Sequence, residues 1–298
     1  MSTEQKDALD ANLRQVPLDL NADVTALRAG FDAAMAQVPV PDDVEQQPTS
    51  LGGVDAIEVA IRGVDAAAVL LYFHGGVYVI GSARSTVPLV SDLARRTRVN
   101  AVTVDYRLAP EHPYPAAVDD ALAAYRGLLE RGVDPARIAL AGESAGGGLV
   151  IALLLALRDA GLGLPSCAYL MSPYVDLTLS GETLLEKQDL DPLLTPEGLR
   201  LRVPDYVGGA VATNPQISPV FGDLVGLPPL LIQAGSHEIL LSDALRLADR
   251  AARDDVSVAL EITPGVPHVF QGFASFLDEG DAALTRAAAF LTAHLSET

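Results

Sequence analysis

The stretch IALAGESAGGGLVIALLLAL, residues 138–157, decides the fold. Residues 138–142 are a short apolar run, the pattern of a strand buried on both faces of a sheet. Leu149 to Leu157 is apolar throughout, yet far shorter than the ~20 residues a membrane span needs, so it reads as a buried helix. Between the two lies G-x-S-x-G, Gly142 to Gly146. A serine there must sit on a sharp, strained turn, and the small residues two before and two after it let strand and helix approach. This is the pattern of a nucleophile elbow. Ser144 is the candidate nucleophile, and the Ala145 amide, at the positive end of the following helix, is placed to face a developing oxyanion. The bland alternative is a glycine-rich turn with an incidental serine. A phosphate-cradling loop is excluded, because no Lys-Ser or Lys-Thr pair follows the glycines.

Working outward, further short apolar runs lie at 68–73, 101–105, 167–172, 229–234 and 258–262. Helical stretches lie between and after them, at 86–98, 116–132, 145–160, 242–254 and 280–295. That alternation predicts an α/β fold with a mostly parallel sheet wrapped by helices. Residues 44–61 read as an edge hairpin interrupted by Gly52 and Gly53. Residues 1–42 are helical, with Val24, Leu27, Phe31 and Met35 at helical spacing. A segment from Asp176 to about Pro219 breaks the rhythm with polar turns and a helix after Pro196. The expected organisation is cap helices at 1–42, a catalytic domain at 43–179 and 216–298, and an inserted cap segment at 180–215.

The loop LLYFHGGVYVIGS, residues 70–82, ends a strand in His74, Gly75 and Gly76, whose unshielded amides can serve a carbonyl oxygen. Losing one such donor costs about 2.7–4 kcal/mol of transition-state stabilisation. In an elbow fold the triad runs Ser, acid, His along the chain, each on a loop after a later strand. His74 and His112 precede Ser144, His237 sits beside the acid candidates, and His294 falls in the terminal helix, which leaves His268 in ITPGVPHVFQGF. The loop LIQAGSHEILLSDA offers Glu238 and Asp243. Glu238 is nearer the strand end and is the expected acid; Asp243, the alternative, is read as capping or opening the next helix.

The 298 residues carry a net charge of −19, from 39 acidic against 20 basic side chains, spread along the chain. Such a field repels nucleic acid and anionic membranes and favours a small neutral substrate. Lys6 and Lys187 are the only lysines, and Cys167, the single cysteine, lies in an apolar run as a buried thiol. The polar start MSTEQKDALDANLRQ lacks a secretory pattern, so a cytoplasmic location is expected.

With these motifs in hand, the sequence closely resembles the hormone-sensitive-lipase-like family of bacterial carboxylesterases, from about Val69 to the C-terminus. The resemblance rests on His74 to Gly76, DYRLAPEHPYPAA at 105–117, GESAGG at 142–147, and the PGxxH loop ending in His268. It implies the α/β-hydrolase fold with an eight-stranded, mostly parallel sheet and a helical cap. It implies a Ser-His-Glu triad hydrolysing short-acyl esters through an acyl-enzyme, without metal or cofactor. It places the oxyanion donors at Gly75, Gly76 and Ala145, and suggests a homodimer formed through the last strand and terminal helix. Three positions depart from the family's usual residues: Val77 for glycine, Glu143 for aspartate before the nucleophile, and Glu238 for the triad aspartate. Arg107, Glu111 and His112 are expected to form one polar network under the site. A lactonase or amidase using the same serine is the near alternative, and a non-catalytic receptor on the same fold the remote one.

Overall fold

The structure, a computed structural model, describes residues 3–15 and 18–296. Met1, Ser2, Val16 and Pro17, within the expected N-terminal cap segment, lie outside the described residues, as do Glu297 and Thr298. In chain order the elements are α1 (Thr3–Gln15), α2 (Val24–Met35), β1 (Val44–Leu51), β2 (Val54–Ile61), β3 (Val69–Phe73), α3 (Val87–Thr97), β4 (Asn100–Val104), α4 (Ala116–Glu130) and β5 (Ile138–Glu143). They continue with α5 (Ala145–Asp159), β6 (Cys167–Met171), α6 (Thr183–Glu186), α7 (Pro196–Val207), β7 (Leu230–Gly235), α8 (Leu241–Arg253), β8 (Val258–Thr263) and α9 (Asp278–Ser296).

The strands form one 8-stranded sheet in the order β1-β2-β4-β3-β5-β6-β7-β8. Only β2 runs against the rest, pairing antiparallel with both β1 and β4. The apolar runs of the central strands follow from burial on both faces. In β3, Leu71 and Phe73 enter one core while Leu70 and Tyr72 enter the other, and β6 divides likewise, with Leu170 on one side and Cys167, Tyr169 and Met171 on the other. Helix α5 lies in the first core with every residue from Ala145 to Leu157 buried. Full burial contributes about 1.5–3 kcal/mol per leucine, which explains an element with no polar face. Helices α3 and α9 cover the opposite side through Val90, Leu93, Leu284 and Leu291.

Parallel register brings the strand ends to one edge. Phe73 pairs with Gly142, Glu143 with Met171, Met171 with Gln233, and Gly235 with Thr263. The loops that follow these strands therefore emerge side by side, where open α/β sheets place their ligand crevices.

Over that edge lie the N-terminal segment and the insertion, tied together. Thr195 caps α7, its Oγ1 accepting from Gly198 N, with Pro196 at the first helical position. From α7, Arg202 donates to the carbonyls of Leu20 (2.7 Å) and Ala22 (2.8 Å). Asp23 then caps α2, from which Arg28 donates to the carbonyls of Val79 and Ala109.

The single network expected of Arg107, Glu111 and His112 does not form. Arg107 pairs with Asp120 at 2.7 Å, and Glu111 pairs with Arg28 at 2.7 Å. His112 gives its amide to the Leu108 carbonyl. The Arg107 and Glu111 side chains leave this turn-rich stretch in different directions, so one braces α4 and the other holds α2.

Candidate active site

Ser144 occupies the turn between β5 and α5 with φ 53° and ψ −120°, a region that non-glycine residues rarely adopt. Main-chain bonds hold it there: its amide donates to the Met171 carbonyl and its carbonyl accepts from Tyr174, each at 2.9 Å. The flanking glycines are required by contact. A Cβ on Gly142 would come within 2.5 Å of the Gly146 carbonyl oxygen, and one on Gly146 within 2.0 Å of the Phe73 carbonyl oxygen.

His268 and Glu238 come together from the loops after β8 and β7. His268 Nδ1 lies 2.6 Å from Glu238 Oε2, and Glu238 is fully buried at 0% exposure. The other carboxylate oxygen, Oε1, accepts from Ser172 Oγ at 3.0 Å and from the Gly235 amide. Ser172 Oγ in turn accepts from the Val269 amide at 3.0 Å. Burial opposes charge on His268, but the bond and charge of Glu238, reinforced by Asp191 and Glu143, outweigh it and raise the imidazole pKa above its usual 6.5. The remaining link, from His268 to Ser144 Oγ, is not among the hydrogen bonds of the described residues. Such contacts are often long before substrate binds.

Asp243, the other acid candidate, lies in the first turn of α8 and faces away from the imidazole partnership. Its Oδ2 accepts the amides of Val175 (2.8 Å) and Asp176 (2.9 Å), so it braces the loop after β6. Burial pushes its carboxyl up to about 7.

In the loop after β3, the Gly75 amide donates to Glu143 Oε1 at 2.8 Å. That corrects the expected oxyanion set, because a donor already given to a carboxylate does not point at a substrate. The amides of Gly76 and Val77 donate to no group among the described residues, and Ala145, as the first residue of α5, has no intrahelical acceptor. Glu143 also accepts from the Tyr72 hydroxyl. Burial pushes its carboxyl up to about 7, against the opposing pull of Tyr72 and the Gly75 amide. His74 serves structure here. It stacks on Tyr106 at 4.1 Å, and burial lowers its pKa to about 4. Val77 holds φ 49°, costly for a β-branched residue. It packs beside Tyr174, Leu177, Leu199 and Tyr206 around a gap too tight to admit a water molecule.

Two contributors escaped the sequence reading. Ser172 is the first residue after β6, the position Ser144 holds after β5, and that shared register was the available signal. Asp191 accepts the amides of Leu193, Leu194 and Ile239 and adds its charge to the surroundings of His268. It lay in a segment read only as cover. Cys167 is buried, and desolvation pushes its thiol up to about 12. Among the described residues, no group of His, Cys, Asp and Glu is arranged to hold a metal, and no helix is long and apolar enough to cross a membrane.

Comparison with known proteins places this geometry. A family model described as alpha/beta hydrolase fold matches residues 70–272. An esterase of Acinetobacter venetianus is 39% identical over 95% of this chain and 93% of its own. An acetyl-hydrolase of Streptomyces hygroscopicus is 45% identical over 74% of each chain. The crystal structure of an esterase from the bacterial hormone-sensitive lipase family superposes with a TM-score of 0.94 at 38% identity, covering 99% of both chains. A family model spanning most of the chain, esterase relatives along nearly its full length and a shared fold lead to one assignment: the chain belongs to the hormone-sensitive-lipase-like carboxylesterases of the alpha/beta hydrolase fold.

Proposed function

We propose that this carboxylic-ester hydrolase acts on short-acyl esters through a triad of Ser144, His268 and Glu238. The observation that carries the reading is the 2.6 Å bond between His268 Nδ1 and buried Glu238, on loops beside the strained Ser144 turn. Glu238 fixes the tautomer that leaves Nε2 free to accept the serine proton, and it stabilises the imidazolium that forms. The serine oxygen adds to the ester carbonyl. Negative charge on the carbonyl oxygen is met by the amides of Gly76, Val77 and Ala145, with Gly75 reserved for holding Glu143. His268 returns the proton to the leaving alcohol, and water then releases the acid by the same steps. Residues up to 42 and residues 180–215 act as the cap over the acyl and alcohol sites. Their joining through Arg202 supports that role.

The test is labelling by a fluorophosphonate probe together with a graded series of p-nitrophenyl esters. Wild type should label and prefer short acyl chains, and Ser144→Ala should do neither. Undiminished turnover by purified Ser144→Ala protein would overturn the assignment.

A further inference from the structure

Asp191 is buried at 5% exposure between α6 and α7, in the insertion that carries no member of the proposed triad. One of its oxygens is accounted for locally. Oδ1 accepts the amides of Leu193 and Leu194, each at 2.9 Å, which closes a turn of the kind aspartate favours. The other oxygen is not. Oδ2 reaches across 48 residues of sequence to accept the Ile239 amide at 2.9 Å, and Ile239 directly follows Glu238. A turn needs one oxygen only, so the second bond asks for another cause.

A carboxylate taken out of water is costly unless its charge is answered. Burial pushes the Asp191 carboxyl above its ordinary range, and His268 is the strongest influence drawing it back, ahead of the three amides. The influence is mutual, since the charge of Asp191 raises the imidazole. Arg14 on α1 feels the same charge, but its guanidinium bonds Asp10 at 2.8 Å. Arg14 also donates to the carbonyls of Asp189 and Leu190, so the stretch before Asp191 is tied to α1 while Asp191 itself ties it to the loop of Glu238.

Three carboxyl groups act on His268, each from a different element: Glu238 from the loop after β7, Asp191 from the insertion and Glu143 from the end of β5. From α1, Lys6 donates to the Pro264 carbonyl on the same loop as His268 and pairs with Glu279 of α9 at 3.2 Å. Glu238 bonds the ring, and Glu143 is taken up with Tyr72 and the Gly75 amide. Asp191 differs from both, because its bonds among the described residues all go to main-chain amides.

We infer that Asp191 is a positioning residue of the reaction: its carboxylate holds the loop of Glu238 by the Ile239 amide, and its charge supports the imidazolium that forms when His268 takes the proton from Ser144. The insertion then takes part in the chemical step as well as in the cover proposed above. This rests on the triad reading and adds a fourth group to it.

The test is the pH profile of kcat/KM and kcat for a p-nitrophenyl ester, measured on the full chain with Asp191→Asn and Asp191→Glu. The charge of Asp191 favours the protonated imidazole, so its removal lets His268 stay neutral to lower pH. In Asp191→Asn the acid limb should therefore move to lower pH, and kcat on the alkaline plateau should fall about tenfold as the imidazolium loses support. Asp191→Glu keeps the charge and should keep the wild-type limb, even with a lower plateau. A purely structural role would lower the plateau and leave the limb in place in both variants. Thermal melting checks folding, and Asp191→Ser, neutral but smaller, is read by the same limb where Asp191→Asn does not fold. A limb unmoved in a folded neutral variant, or moved equally in Asp191→Glu, would overturn the inference while the triad reading stands. Retained activity in Ser144→Ala would strike the triad reading instead.

Discussion

The stretch after β7 buries two carboxylates a short distance apart, and they do different work. Glu238 and Asp243 are 0% and 3% exposed. Glu238 receives a hydroxyl, one amide and an imidazole, whereas Asp243 receives two main-chain amides. Burial alone therefore does not mark the acid of the proposed triad. What separates the two is whether one of the groups answering the charge is itself able to move a proton.

The comparison collapses first if the imidazole or the serine is removed. His268→Ala or Ser144→Ala should lower kcat by about a millionfold, because in the proposed triad the two act as a unit; steady-state assay of a folded variant measures this. Next comes the acid itself. Glu238→Gln should cost about a thousand- to ten-thousandfold in kcat. Asp243→Asn keeps an acceptor for both amides and should stay within about threefold of wild type. A larger loss from Asp243→Asn than from Glu238→Gln would reverse the assignment of the acid.

The imidazole beside Glu238 and the Asp243 carboxyl also differ in how they respond to pH. As the proposed base His268 must be neutral, and its pKa is raised above 6.5, so the acid limb of kcat/KM should fall above that pH. The stability from the paired imidazolium runs the other way. It is present at low pH and lost as pH rises through the raised pKa. Asp243 behaves similarly without touching rate. Its folded pKa of about 7 lies above the ordinary 3.8, so its contribution to stability is complete below 3.8 and lost as pH rises through 7. Urea denaturation at about pH 5 and about pH 8 should show a smaller drop for Asp243→Asn than for wild type, with the part due to Glu143 remaining in both. The smallest effect concerns a phenol. The Tyr206 hydroxyl is buried with no hydrogen bond among the described residues. Tyr206→Phe deletes this hydroxyl, whose burial costs on the order of 1 kcal/mol, so its melting temperature should be no lower than that of wild type.

Much of the frame could be read in advance because its causes are local or periodic. Strands buried on both faces must be apolar runs, and a serine between Gly142 and Gly146 at a strand-to-helix turn has few other uses. Chain order then singled out His268, and distance from the strand end singled out Glu238. What escaped was direction. Whether the Gly75 amide points at a substrate or at Glu143 depends on loop dihedrals and on the reach of one glutamate. The sequence 107–112 places three polar side chains close together but does not say that Arg107 turns to Asp120 while Glu111 turns to Arg28. Ser172 belongs to no motif, and its importance arises only from its position between two later loops.

That position has a consequence for tolerance. The Ser172 hydroxyl gives its proton to the carboxylate of one loop and takes the amide of the other, while Ser144 hangs by its own amide from Met171, the neighbour of Ser172 in the chain. All three members of the proposed triad are thus measured from one datum at the tip of β6. A small drift of that strand carries them along as a group, so the error is shared and the spacing among them is kept.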